Sequence, residues 1–126
     1  MPVASAAPVL LVVARFAVPT AQRAAFDEAA GAALSVLAAQ DGCRSAALGQ
    51  STDDPDRVVL RTEWDSVGAY RRALGSYDAK LTVVPLLSRA VDEPSAYELT
   101  LVAGTEGTTA YRAGLAVDAG TVRRRR

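Results

Sequence analysis

Any chemistry in this chain has to be organised around one tryptophan. Trp64 ends the run Arg57-Val58-Val59-Leu60-Arg61-Thr62-Glu63-Trp64, and Asp65-Ser66-Val67-Gly68-Ala69-Tyr70 follows it directly. Asp65 or Ser66 can cap the first free N–H groups of a helix, so Trp64 sits where a strand hands over to a helix that carries Tyr70. Both rings offer a large apolar body with a polar tip, which suits a ligand pocket or a core equally well. Tyr70 and Tyr77 recur at helical spacing with Ala69, Ala73 and Leu74, a pattern that also reads as plain core packing. Arg61 points to the strand face opposite Leu60 and shares that face with Glu63. An ion network of Arg15, Arg61 and Glu63 across neighbouring strands is therefore one role for it.

Two absences narrow the reactions further. The chain has no His and no Asn. Zinc sites, Ser-His-Asp triads and Cys-His pairs all lean on imidazole as ligand or base. Cys43 is the one cysteine; with no imidazole to activate it, it reads as a small buried strand residue in a reducing compartment. No G-x-x-x-x-G-K-[ST] and no G-x-G-x-x-G after a strand is present, so the usual nucleotide cradles are missing. The 14 basic and 14 acidic residues cancel, which argues against a strongly basic nucleic-acid binder. Arg outnumbers Lys by 13 to 1, a skew that abundant Ala makes consistent with GC-rich coding. The apolar run Val9 to Ala14 is broken by Arg15, far short of the ~20 residues of a membrane span. The expected location is cytoplasmic, away from membranes.

The elements that must hold these residues can be read in order. Residues 8 to 18 are apolar or β-branched at nearly every position, which predicts a strand buried on both faces. Thr20 is expected to cap a helix running to about Gln40, with Phe26, Ala30, Ala33, Leu34 and Leu37 on one stripe and Asp41-Gly42 as its stop. Strands at about 43 to 51 and 57 to 64 flank a turn at Asp53 to Asp56, where Asp and Pro supply the turn chemistry. A helix over 66 to 77, a short helix from Pro85 to Val91 and a final strand over 95 to 101 complete the set. The order β-α-β-β-α-(α)-β is the split pattern of a ferredoxin-like α+β fold with an antiparallel sheet. One chain supplies helices for one sheet face only, so the doubly apolar first strand predicts a homodimer whose sheets pack face to face.

The expected organisation is an N-terminal extension over 1 to 7, a folded domain over 8 to 102 and a disordered tail over 103 to 126. The tail lacks periodicity and ends in four arginines, carrying five Arg against Glu106 and Asp118.

Over residues 8 to 102 the chain resembles the antibiotic biosynthesis monooxygenase family, small dimeric α+β barrel proteins. The resemblance rests on Asp41-Gly42, the Asp53-Asp54-Pro55 turn, Glu63 and Asp65 around Trp64, then Ser66 and Ala69, and the late Pro85-Leu86-Leu87. It implies oxidation of a phenolic, polyketide-like ring by O₂ with no prosthetic group and no metal. Within the family, one variant of the site relies on Trp, Tyr and Arg, and the spacing of Trp64 and Tyr70 is similar to it. On that basis Trp64 would stack the ring, Tyr70 would hydrogen-bond a substrate oxygen, and Arg61 or Arg72 would favour the phenolate. The same fold also hosts proteins without an assigned reaction. A non-catalytic dimer that binds a small apolar ligand or serves a biosynthetic pathway is the alternative, and the missing Asn and His favour it. Haem degradation ranks third, because such a relative would supply a His to iron.

Overall fold

The computed structural model of the chain describes residues 3–4 and 7–114, and within them the backbone forms seven strands and four α-helices. In chain order these are β1 (Val3–Ala4), β2 (Leu10–Ala17), α1 (Arg23–Ala38), β3 (Cys43–Gln50), β4 (Arg57–Trp64), α2 (Val67–Leu74), α3 (Tyr77–Thr82), α4 (Val84–Leu87), β5 (Ala96–Glu98), β6 (Leu101–Gly104) and β7 (Gly107–Tyr111). Four strands make an antiparallel sheet in the order β3-β4-β2-β5, the ferredoxin-like arrangement, and it is an open sheet rather than a closed barrel.

The sheet is buried on one side only. Along β2, Leu10, Val12, Ala14 and Phe16 are buried, whereas Leu11 and Val13 are half-buried and Arg15 and Ala17 exposed. Burial on both faces is not reached within one chain: Leu11 and Val13 are apolar, but among the described residues nothing covers them fully, and this is the face that the sequence reading assigned to a second copy. β4 repeats the alternation, with Val58, Leu60, Thr62 and Trp64 buried beneath the helices. α1 packs Phe26, Ala30, Ala33 and Leu37 against this face, as its stripe predicts.

Local chemistry sets the element ends. α1 starts later than expected, because Thr20–Gln22 form a 3₁₀ turn after Pro19 and the N-cap Gln22 makes no side-chain cap. Thr20 does not cap the helix; its hydroxyl lies 3.5 Å from Asp56 Oδ1. The β3–β4 turn is closed by side chains: Ser51 Oγ accepts from the backbone N–H groups of Asp53 and Asp54 at 3.1 Å each, and Asp54 Oδ1 accepts from Asp56 N–H at 3.0 Å. Ser66 caps α2 by accepting from Ala69 N–H at 3.2 Å, and Ser76 caps α3 by accepting from Ala79 N–H at 3.2 Å.

That second serine explains a difference from the sequence reading. The expected helix over 66 to 77 stops at Leu74, and Ser76 starts a new one, so Tyr77 is 75% exposed and outside the α2 stripe. The later helix is α4 at Val84–Leu87 rather than Pro85 to Val91. The expected strand over 95 to 101 is split: β5 ends at Glu98, and Leu101 begins β6, which pairs with β7 and through it with β1 in a separate three-stranded sheet. Residues 103 to 111, expected to be disordered, therefore form a hairpin. Leu115, Val117 and the four terminal arginines lie outside the described residues.

Gly42 fixes how α1 enters β3. Its φ of +87° lies in the left-handed region, and a Cβ there would come within 2.6 Å of Ala69 Cβ on α2. Gly42→Ala is expected to cost about 2 kcal/mol or more from strain and overlap together, read as a lower urea midpoint at unchanged slope; a loss below ~0.5 kcal/mol would mean that this junction can relax.

Candidate functional site

Strand register places four side chains in one row across the end of the sheet, all on the helix side. Cys43 is opposite Trp64, Trp64 opposite Leu10, and Leu10 opposite Glu98. α2 begins just after Trp64 because the Ser66 cap starts it there, and it carries Tyr70 back over the row. The two rings meet with centroids 5.4 Å apart and planes inclined at 50°, a tilted pair of the kind that stabilises by about 1 kcal/mol beyond the area buried.

Trp64 is fully buried, at 0% exposure, and its indole Nε1 donates to Thr62 Oγ1 at 2.8 Å. Thr62 is the one buried polar side chain among the described residues. Burial also pushes the Tyr70 phenol above its ordinary pKa, so at neutral pH it holds its proton. It can donate or accept a hydrogen bond but is no base. The Cys43 thiol is raised by burial as well, with its Sγ 3.6 Å from the Ser45 carbonyl oxygen. That favours the inert thiol over a thiolate.

The two arginines named from the sequence are not part of this group. Arg61 is on the opposite face of β4, where its Nη1 donates to Ser45 Oγ at 3.0 Å and lies 3.7 Å from Glu63 Oε2. The Arg15 side chain goes elsewhere, in a two-pronged pair with Glu93 at 2.6 and 2.5 Å, so the expected three-residue network divides into two. The pair raises the Arg15 pKa and lowers that of Glu93. Arg72 is exposed and lies back along its own helix, with Nη1 3.3 Å from where a Cβ on Gly68 would stand.

Two cations do reach this end of the sheet: Arg44, paired with Asp65 at 2.7 Å, and Arg71 on α2. Arg71 lines a groove of about 690 Å³ with Val67 of the same helix, Leu10, the β5 residues Ala96, Tyr97 and Glu98, and Ala113 and Gly114. The volume lies within the ~300–1,000 Å³ usual for small-molecule sites. Leu10 is both its floor and the neighbour of Trp64 in the strand register, so one strand separates the indole from the groove. Val67, Tyr70, Arg71 and Leu74 follow the i, i+3, i+4, i+7 rule on α2, which is the sequence signal that would have selected Arg71 over Arg72. On the outer sheet face a second groove of about 390 Å³ is lined by Leu11, Val13, Arg15, Glu93, Pro94 and Tyr97.

The sequence profile described as antibiotic biosynthesis monooxygenase matches residues 9–83. Among solved structures, SnoaB, a cofactor-independent oxygenase from Streptomyces nogalater, is 24% identical, with 74% of this chain and 94% of that chain aligned at a TM-score of 0.63. A Mycobacterium tuberculosis protein is 24% identical over 77% of this chain and 98% of its own, with a TM-score of 0.60. A conserved protein from Methanosarcina mazei is 21% identical over 72% and 92%, with a TM-score of 0.62. At these identities the likeness is one of fold. No curated protein matches the sequence.

The Trp64–Thr62 bond sets a measurable dependence. Thr62→Val keeps the shape but leaves a buried indole N–H without its acceptor, at an expected cost of about 1–3 kcal/mol. In a Trp64→Phe background, where no donor remains, the same change should cost less by about 1 kcal/mol, a coupling read by a double-mutant cycle in urea. Additive effects would show that the bond contributes nothing to stability.

Proposed function

The chain belongs to the antibiotic biosynthesis monooxygenase family, and from that premise we propose that it is a cofactor-independent monooxygenase acting on a phenolic aromatic substrate held in the groove beside Trp64 and Tyr70. The observation that carries this reading is the adjacency itself. A tilted pair of oxidisable rings, Trp64 buried and Tyr70 half-buried, stands one strand away from a groove with an apolar floor and Arg71 in its lining. In such a reaction the substrate is the reductant. One atom of O₂ becomes the new ring carbonyl; the other leaves as water with two hydrogens of the substrate, one from the oxidised ring carbon and one from the hydroxyl (in the keto form of an anthrone, both from its CH₂), so no external electron source is required.

The protein's part is to favour ionisation and to exclude water. Arg71 can stabilise the ionised substrate hydroxyl as a fixed charge, which lowers the cost of the form that donates an electron to O₂. Leu10 and Val67 keep the ring against apolar surface. Tyr70, held protonated, is suited to hydrogen bonding rather than proton abstraction. The second reading, a non-catalytic binding module, is favoured by the complete burial of Trp64 and the satisfied indole donor, which describe a core residue.

The proposed functional unit is a homodimer. The outer sheet face carries Leu11, Val13 and Val59 half-buried, with Tyr97 51% exposed, and a second sheet would remove them from water. The alternation along β2 separates two tests. Val13→Asp faces outward and should yield a folded monomer in sedimentation at micromolar concentration, whereas Val12→Asp, on the buried face, should lose several kcal/mol of stability as an unpaired buried charge. A Val13→Asp protein that remains a dimer would place the interface elsewhere.

The chemical reading is tested by oxygen uptake with anthrones and naphthols in metal-free, flavin-free buffer. Uptake should require the protein and fall at least about tenfold in Tyr70→Phe at an unchanged melting curve, and in Trp64→Phe, a fully buried position, when expressed per folded protein. Binding of these phenols without uptake would overturn the oxygenase in favour of the module.

A further inference from the structure

The geometry points to an anion-selective ligand site along the free edge of β5, in which Arg71 anchors the acidic group of a flat apolar molecule and Glu98 sets which way round it lies. It rests on the groove being the ligand's place, and it is independent of whether oxygen reacts there.

Three consecutive residues, Ala96, Tyr97 and Glu98, line this groove. Side chains alternate along a strand, so consecutive positions share a cavity only where the cavity runs along the strand edge. β5 is an edge strand, paired with β2 and with nothing on its other side in the sheet. Ala96 and Glu98 share the helix-side face with Leu10 and Val12 by register, while Tyr97 lies opposite Leu11 on the outer face. The groove therefore has an apolar floor at Leu10, walls at Val67 and Tyr97, and two charged groups from different elements.

Those charges are differently committed. The ion pairs among the described residues engage Arg15, Arg23, Arg44, Arg57 and Arg61, and Arg71 is in none of them. Glu98, by contrast, accepts from Gly114 N–H at 2.9 Å. The available cation thus belongs to the α2 wall and the fixed carboxylate to the β5 wall. A ligand carboxylate, sulfonate or phenolate gains at Arg71 and is repelled at Glu98, so its charged end faces α2 and its apolar body lies along Leu10 and Val67. Lys at this position would supply charge without the planar fork.

The test uses two fluorescent probes of similar body, anionic 1-anilinonaphthalene-8-sulfonate and neutral N-phenyl-1-naphthylamine, on the full chain. The anionic probe should bind more tightly than the neutral one. Arg71→Gln should weaken it about tenfold, the equivalent of one charge-assisted hydrogen bond, and leave the neutral probe unchanged. Glu98→Gln should tighten the anionic probe, and Arg72→Gln should have no effect. Val67→Trp, which fills the groove, should remove both probes, with thermal melting confirming that each variant is folded. Displacement by 2-naphthoate at pH 7, and by 2-naphthol only as pH rises toward its ionisation, would extend the site from sulfonate to carboxylate and phenolate. Equal binding of both probes, equal effects of Arg71→Gln and Arg72→Gln, or retention of the probes in Val67→Trp would overturn the site.

Discussion

A sheet covered by helices on one side only is the constraint from which the other features follow. Side chains alternate along β2 and β4, so each strand sends half of its residues into the core and half to a surface that the described residues do not fully cover. Period two sends Leu60, Thr62 and Trp64 to the helices and Val59, Arg61 and Glu63 to the other face. No rotamer can bring Arg61 round to the Trp64 ring, because the sheet itself lies between them. The same alternation leaves Leu11 and Val13 on a half-covered apolar surface while Leu10 and Val12 are 2% and 1% exposed.

Inside the covered face, one polar bond decides how Trp64 is held. An indole buried without a partner would carry the desolvation cost of its N–H, and Thr62, two residues earlier on the same strand face, removes that cost. The bond is local in sequence, so it orients the ring without help from the loops. Tyr70 then closes over it because the Ser66 cap fixes where α2 begins, and Gly42 lets Ala69 pack against the chain entering β3. Among the described residues no buried side-chain nitrogen or oxygen lacks a hydrogen-bond partner. Trp64 is therefore a satisfied core residue, and Tyr70 lies half-buried over it between the core and the groove end of α2.

Much of the fold was legible in the sequence because its signals were local. The β3 and β4 strands, the Asp-Pro turn, the α1 stripe and the Ser66 cap each depend on a few adjacent residues, and Trp64 at the strand-to-helix junction follows from them. What escaped depends on tertiary context. Ser76 is a second cap inside what reads as one continuous helix, so Tyr77 appeared to belong to the stripe from which the new helix removes it. Strands β6 and β7 have little apolar periodicity, and β1, from the far end of the chain, completes their sheet. Arg71 was overlooked because choosing between adjacent arginines on a helix needs the angular position of the groove, which β5 supplies.

The groove and the outer face are linked through Tyr97, which lines both. Its hydroxyl donates to the Pro94 carbonyl oxygen at 3.1 Å, so the ring is tethered at its polar end while its apolar body stays accessible. A second copy on the outer sheet face would bury one side of this ring and stiffen the β5 edge that forms the groove wall. Oxygen chemistry on a phenolate demands that water be kept from the reactive intermediates, and an edge groove open to solvent meets that demand poorly by itself. In the proposed dimer, the interface and the proposed ligand site would be coupled through one residue: docking of a partner and ordering of the groove wall would share the same ring, and occupancy of either would reduce the entropy left for the other to remove.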